Sequence, residues 1–157
     1  MYKRQHRNTG KATGDPIADK LLARISTDEN LHMIFYRNLV TAAFDINPDE
    51  MMKAVAKEVM TFEMPGANMA NFRKNSIIIA RAGIYDLRLH YDEVVSPILR
   101  TWKVFERTDL GPEGEKAREE LAEFLVGLDA QATKFVDSRE RVRARIAART
   151  EEPAGQA

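Results

Sequence analysis

The chain has 157 residues, 44% of them hydrophobic and 31% charged, with a formal net charge of zero and no cysteine. That length suits one domain with a real core. The missing cysteines exclude disulfides, iron–sulfur ligation, thiolate zinc and a cysteine nucleophile, and the neutral balance gives no pull toward nucleic acid or an anionic membrane.

No apolar run reaches the roughly 18 residues of a membrane span, and no signal peptide is visible, so a cytoplasmic protein is the expectation. Met1 to Gln5 reads as a basic, patternless start, and the pattern at His6 begins in what reads as mid-helix. Met-Tyr-Lys-Arg-Gln can be encoded by a stretch resembling the end of a transposon-type sequencing adapter. Residues 1–5 are therefore expected to be a non-native leader.

His6 to about Thr13 reads as the tail of a helix. Gly14-Asp15-Pro16 is a stop and restart: glycine closes, aspartate caps, and proline takes the first helical turn. One long helix is predicted from Asp15 to about Asn47. Asn47-Pro48 starts another, to about Thr61, and Met64 to Asn68 is a loop. A helix from about Met69 to Arg81 ends at Gly83. Tyr85 to about Phe105 continues as helix, and Pro97 should kink it or restart it. Asp109 to Glu113 opens a helix toward Leu128, with a bend expected at Gly127. A charged helix follows from Asp129 to Arg149, and residues 150–157 are expected to form a disordered polar tail. No strand-like alternation persists, so the fold class is all-α.

The long helix carries the chemistry. Its buried seam is predicted to run Leu22, Ile25, Glu29, His32, Tyr36, Leu39 and Ala43, in steps of three and four. Glu29 and His32 thus sit where a bundle helix puts leucine, and a buried carboxylate needs a compensating charge. Residues three apart share a helix face, so a carboxylate oxygen and an imidazole nitrogen can reach one cation. Glu-x-x-His facing inward is the half-motif of carboxylate-bridged di-metal sites in four-helix bundles, where it occurs on two of the helices. Asp28 is placed to hold a ligand histidine by hydrogen bonding. The plain alternative is a satisfied core histidine.

Other features read more simply. His90 is surface or packing, Trp102 a core aromatic, and Met33, Met51, Met52, Met60, Met64 and Met69 are mostly core filler. The arginines from Arg139 to Arg149 read as a solvated helix face. Their functional reading is docking of an acidic partner through Arg139 and Arg143.

Several segments together resemble a known family, the soluble acyl-[acyl-carrier-protein] desaturases, whose fold is a ferritin-like di-iron bundle. They are His6-x-Asn8-Thr9, the stretch Ala23 to His32, Phe44 to Asp49, Met64-Pro65, Gly83-Ile84-Tyr85, Trp102-Lys103-Val104 and Leu110 to Gly114. The resemblance runs from about His6 to Val126 and favours the bacterial, actinobacterial branch. It implies oxygen-dependent insertion of a double bond into an acyl chain held on acyl carrier protein, in fatty acid biosynthesis. Two iron ions, a ferredoxin-type electron donor and a homodimer are implied as well. Glu29 and His32 would be iron ligands and Asp28 a supporting residue. His6 falls on a helix position near the iron site that is not a ligand.

The resemblance also implies a second Glu-x-x-His and two single glutamates, which the chain does not supply. It therefore implies the C-terminal half of the bundle, with residues 6–149 as a partial domain that is inactive alone. The alternative is a non-catalytic helical protein that dimerises or binds a partner through the exposed bundle face.

Overall fold

The computed structural model describes residues 2–64 and 66–151, and among these every regular element is helical. Met1 of the expected leader, Pro65 of the expected loop, residues 152–157 of the expected tail and the side chains of Tyr2, Lys3, Arg149, Thr150 and Glu151 lie outside the described residues.

Helix α1 spans Tyr2–Thr13 and α2 Pro16–Ile46. Tyr2 to Gln5, read as a leader, form the first turn of α1, and Arg4 pairs with Glu93 at 2.7 Å. The link between the two helices is set by local chemistry. Gly14 takes φ +66°, in the left-handed region,. The Asp15 carboxylate accepts hydrogen bonds from the Ile17 and Ala18 amides at 2.7 and 3.0 Å, which satisfies two free donors of the new helix. α1 then folds back along α2. At Gly10 a β-carbon would lie 3.1 Å from the Asp19 Cα, so the two backbones approach too closely for a larger residue. Arg7 and Asp19 form an ion pair across the same contact, which holds the Asp19 carboxyl below its usual range.

Helix α3 spans Pro48–Met60, capped by Asn47, whose side chain accepts from the Glu50 amide at 3.3 Å. Helix α4 spans Phe72–Arg81, starting three residues later than predicted because Asn71 sits at φ +64°. Leu87–His90 form α5, Tyr91–Val95 a widened π-turn, and Ser96–Thr101 α6. The expected kink at Pro97 takes this form. Proline has no amide to donate and its ring crowds the carbonyl four residues back. The helix relieves this one turn earlier, where the Ser96 amide reaches back five residues to the Tyr91 carbonyl,. A 3₁₀ turn, Val104–Glu106, leads to α7, Pro112–Glu151.

α7 corrects one prediction. It is a single helix through Gly127, with no break there, and it continues through Glu151, past the expected end at Arg149. A lone glycine costs a helix only about 1 kcal/mol. Here Leu125 and Ala132, on either side of it, are both buried. The core joins Met52, Val55 and Ala56 of α3 to Ala117, Leu121 and Leu125 of α7, closed by Phe44, Val95, Leu99 and Val104. Met52 is core filler as expected, whereas Met69 is exposed.

The predicted seam of α2 is also corrected. The fully buried residues of this helix are Ser26 and Phe44, each one position beyond the expected Ile25 and Ala43. His32, Tyr36 and Leu39 are exposed instead, along with Ile17, Leu21, Leu31, Phe35 and Ile46. The helix is turned so that its most buried stripe passes through Ser26 and Phe44, which leaves Leu22, Ile25, Glu29 and Ala43 of the predicted seam half-buried and its other three residues exposed.

Candidate metal centre

Glu29 and His32 stand side by side on α2, with His32 Nδ1 3.9 Å from Glu29 Oε2. The spacing works as the sequence suggests, because the two side chains rise from the same face one turn apart. Glu29 is half-buried, while the His32 imidazole is 67% exposed. They border an open hollow of about 380 Å³ lined also by Met33, Tyr36, Arg37, Val40, Ile98 and Trp102. Trp102 is fixed in this wall, since its indole N–H donates to the Arg37 carbonyl at 3.1 Å. Asp28 is turned elsewhere: it pairs with Arg24 along the helix at 3.6 Å.

These donors do not fit a two-iron group by themselves. Among the described residues no three His, Cys, Asp or Glu side chains converge to hold a metal ion. One carboxylate and one imidazole supply a fraction of what two such cations require. His6 lies in α1 and is half-buried. Its neighbour Asn8 donates to the Ile84 carbonyl at 3.0 Å, tying α1 to the loop before α5.

A second polar cluster was not legible as a unit in the sequence. His90 is buried, stacked on Phe62 at 4.9 Å between centroids, and hydrogen-bonded through Nδ1 to Tyr85 Oη at 2.8 Å. This is the packing role expected of it. Burial drives its pKa below the usual histidine value, so the ring is neutral at pH 7,. Beside it the Asp86 carboxylate accepts from the Leu89 amide at 2.9 Å and pairs with Arg139. Arg139 is therefore turned into the fold. Arg143 donates to the Arg81 carbonyl at 3.3 Å, while Arg141 and Arg145 stand exposed. Tyr85, Asp86 and His90 form one edge of a hollow of about 720 Å³ beneath α4.

No described helix is long and apolar enough to cross a membrane. The all-α architecture agrees with a ferritin-like helical bundle.

Comparison with known proteins gives the family. Residues 3–152 match the profile of the fatty acid desaturases. The chain is 50% identical over 136 residues to DesA1 of Mycobacterium tuberculosis, assigned as an acyl-[acyl-carrier-protein] desaturase. That match covers 87% of this chain and 40% of the relative. It is 32% identical over 126 residues to the chloroplastic stearoyl-[acyl-carrier-protein] 9-desaturase of Gossypium hirsutum, covering 74% of this chain and 32% of that protein. Arabidopsis thaliana stearoyl-[acyl-carrier-protein] 9-desaturase 5 is 29% identical over 154 residues, covering 92% and 37%. The chain thus spans 40% or less of the length of these relatives. With nearly its whole length matched, this chain belongs to the fatty acid desaturase family.

Proposed function

We propose that this chain is the C-terminal portion of an acyl-[acyl-carrier-protein] desaturase, an oxidoreductase of fatty acid biosynthesis that uses iron and dioxygen in the cytoplasm. The observation that carries this reading is the placement of Glu29 and His32 together midway along α2, on the rim of an open hollow and beside the helix's exposed apolar residues. A ligand pair so placed is suited to be covered by further helices that bring the remaining donors and exclude water. Glu29 and His32 would supply the carboxylate and imidazole of one half of the iron centre. The hollow walled by Tyr36, Ile98 and Trp102 abuts the pair and gives apolar surface on which an acyl chain can lie.

Acyl carrier protein as acyl donor, a ferredoxin-type reductant and a homodimeric whole enzyme belong to the same reading. Arg141 and Arg145 are better placed than Arg139 to meet an acidic carrier protein, since Arg139 is engaged by Asp86.

The test is reconstitution. The chain is co-expressed with the part of the M. tuberculosis relative that it does not span. It is then supplied with iron, a reducing system, oxygen and stearoyl-acyl carrier protein. Mass spectrometry of the released acyl chain should show loss of two hydrogens with the pair, none with the chain alone, and none with Glu29→Ala. A soluble complex that yields only saturated product would overturn the reading.

A further inference from the structure

We propose that α4 is a hinged lid over the hollow of about 720 Å³ beneath it, latched at its C-terminal end by Arg143 of α7, and that it closes when an aliphatic chain enters. This rests on the functional reading only for the ligand, an unbranched acyl chain, and uses neither Glu29 nor His32. α4 roofs the hollow through Phe72, Ile77 and Ile79, while Phe62 follows α3, Leu87 belongs to α5 and Phe135 comes from α7. Among the described residues none of α2 lines it.

Roof and floor are held very differently. The floor is fixed: Tyr85 Oη and His90 Nδ1 share a hydrogen bond of 2.8 Å, and Asp86 pairs with Arg139 of α7. Among the described residues, one side-chain hydrogen bond ties α4 to another helix, from the exposed Arg143 to the Arg81 carbonyl at 3.3 Å. Ala80 is the one buried residue of α4. An element with so few buried apolar contacts opens at low cost.

Both ends of α4 turn on left-handed residues, Asn71 at φ +64° and Gly83 at φ +71°. Such a conformation is strained for asparagine, and strain of this kind collects at switching segments. A β-carbon at Gly83 would meet nothing within 4 Å, so the C-terminal end has room to swing. Two hinges of this sort let a short helix move as a rigid unit. The isoleucines give it a reason to close. Ile77 and Ile79 line the hollow yet are 43% and 40% exposed. A chain lying beneath them removes apolar area of lid and ligand from water together.

Charge selects the ligand. One Asp86 carboxylate oxygen accepts from the Leu89 amide and the other from Arg139. Burial keeps the His90 ring neutral,. The interior therefore offers no free charge, and the enclosed part of a ligand has to be apolar. Arg73 stands exposed at the rim, a cation suited to the carboxylate of a free fatty acid.

The test is hydrogen exchange of the full 157-residue chain, read by mass spectrometry with dodecanoate as probe, below its micelle threshold. In the free chain, peptides covering α4 should exchange about a hundredfold faster than those around the buried Leu121 of α7,. Dodecanoate at about ten times its Kd should slow the α4 peptides roughly tenfold and leave those of α7 unchanged. Arg143→Ala should speed α4 exchange in the free chain. Ile79→Asp, at a partly exposed position that spares the core, should abolish the response to dodecanoate. An α4 as protected as α7 in the free chain, exchange unmoved by dodecanoate, equal slowing of every helix, α4 exchange unchanged in Arg143→Ala, or a response retained in Ile79→Asp would each overturn the proposal. Desaturated product from the reconstituted pair with an unresponsive α4 would sink the lid alone. A responsive α4 with only saturated product would sink the functional reading and leave the lid standing.

Discussion

Asp86 and Arg139 form an ion pair between the start of α5 and the C-terminal part of α7, with the Asp86 side chain only 2% exposed. The same carboxylate caps the Leu89 amide, and Arg139 Nε is buried without a hydrogen-bond partner. Removing the carboxylate leaves a largely buried guanidinium with one more unsatisfied group. Asp86→Ala should therefore cost about 2–4 kcal/mol, somewhat below the full cost of breaking a buried pair because Arg139 is partly exposed. Chemical denaturation checks this, and Asp86→Ala with Arg139→Met should recover part of the loss.

Met52 of α3 and Leu121 of α7 are fully buried in one cluster. Leu121→Ala should destabilise the chain by about 2–5 kcal/mol, the range for deleting a well-packed core side chain. Leu39→Ala, on the exposed stripe of α2, should change stability little. Chemical denaturation separates these two kinds of apolar residue.

Much of the helix layout was readable because its signals are local. Asp15-Pro16 and Asn47-Pro48 place a capping side chain and a fixed φ in consecutive positions, and both helices start there. The rotation of α2 was not readable. Two adjacent apolar stripes run along it, one through Ser26 and Phe44 and one through Glu29, Tyr36 and Leu39, and periodicity alone does not choose between them. The contact with α1 at Gly10 makes that choice, and it depends on packing between helices. Arg139 misled for a similar reason. A cation on a charged helix reads as solvated, and its partner Asp86 lies 53 positions away.

The Glu29 and His32 pairing was legible because one turn of helix fixes it. The hollow beside it was not, since Trp102 and Ile98 reach it from α6 and the residue just after α6, through a bond to the Arg37 carbonyl.

His90 makes stability pH-dependent. Burial lowers its folded pKa below the ordinary 6.5, so the unfolded chain takes up the proton first,. The stability it contributes is full above 6.5 and is lost as the pH falls through the lower, folded value. Melting temperatures should drop between neutral and mildly acidic pH, and His90→Gln should flatten part of that drop. An unchanged slope in the variant would contradict this assignment.

Asp49 locks the start of α3 to the start of α7. Its Oδ1 accepts from the Gly111 amide at 2.7 Å, and a β-carbon at Gly114 would collide with the same oxygen. Gly114→Ala should destabilise by about 1–3 kcal/mol through this overlap. In an Asp49→Ala background the same change should be neutral or stabilising, because alanine is the better helix former. A double-mutant cycle measures the coupling directly.

The most direct test of Glu29 and His32 as metal ligands is the iron content of the chain co-expressed with the complementary segment of the M. tuberculosis relative, measured after gel filtration. The complex should retain iron, and Glu29→Ala and His32→Ala should each lose it while the complex stays intact. Iron retained equally by both variants would mean that the pair on α2 is not part of the metal centre.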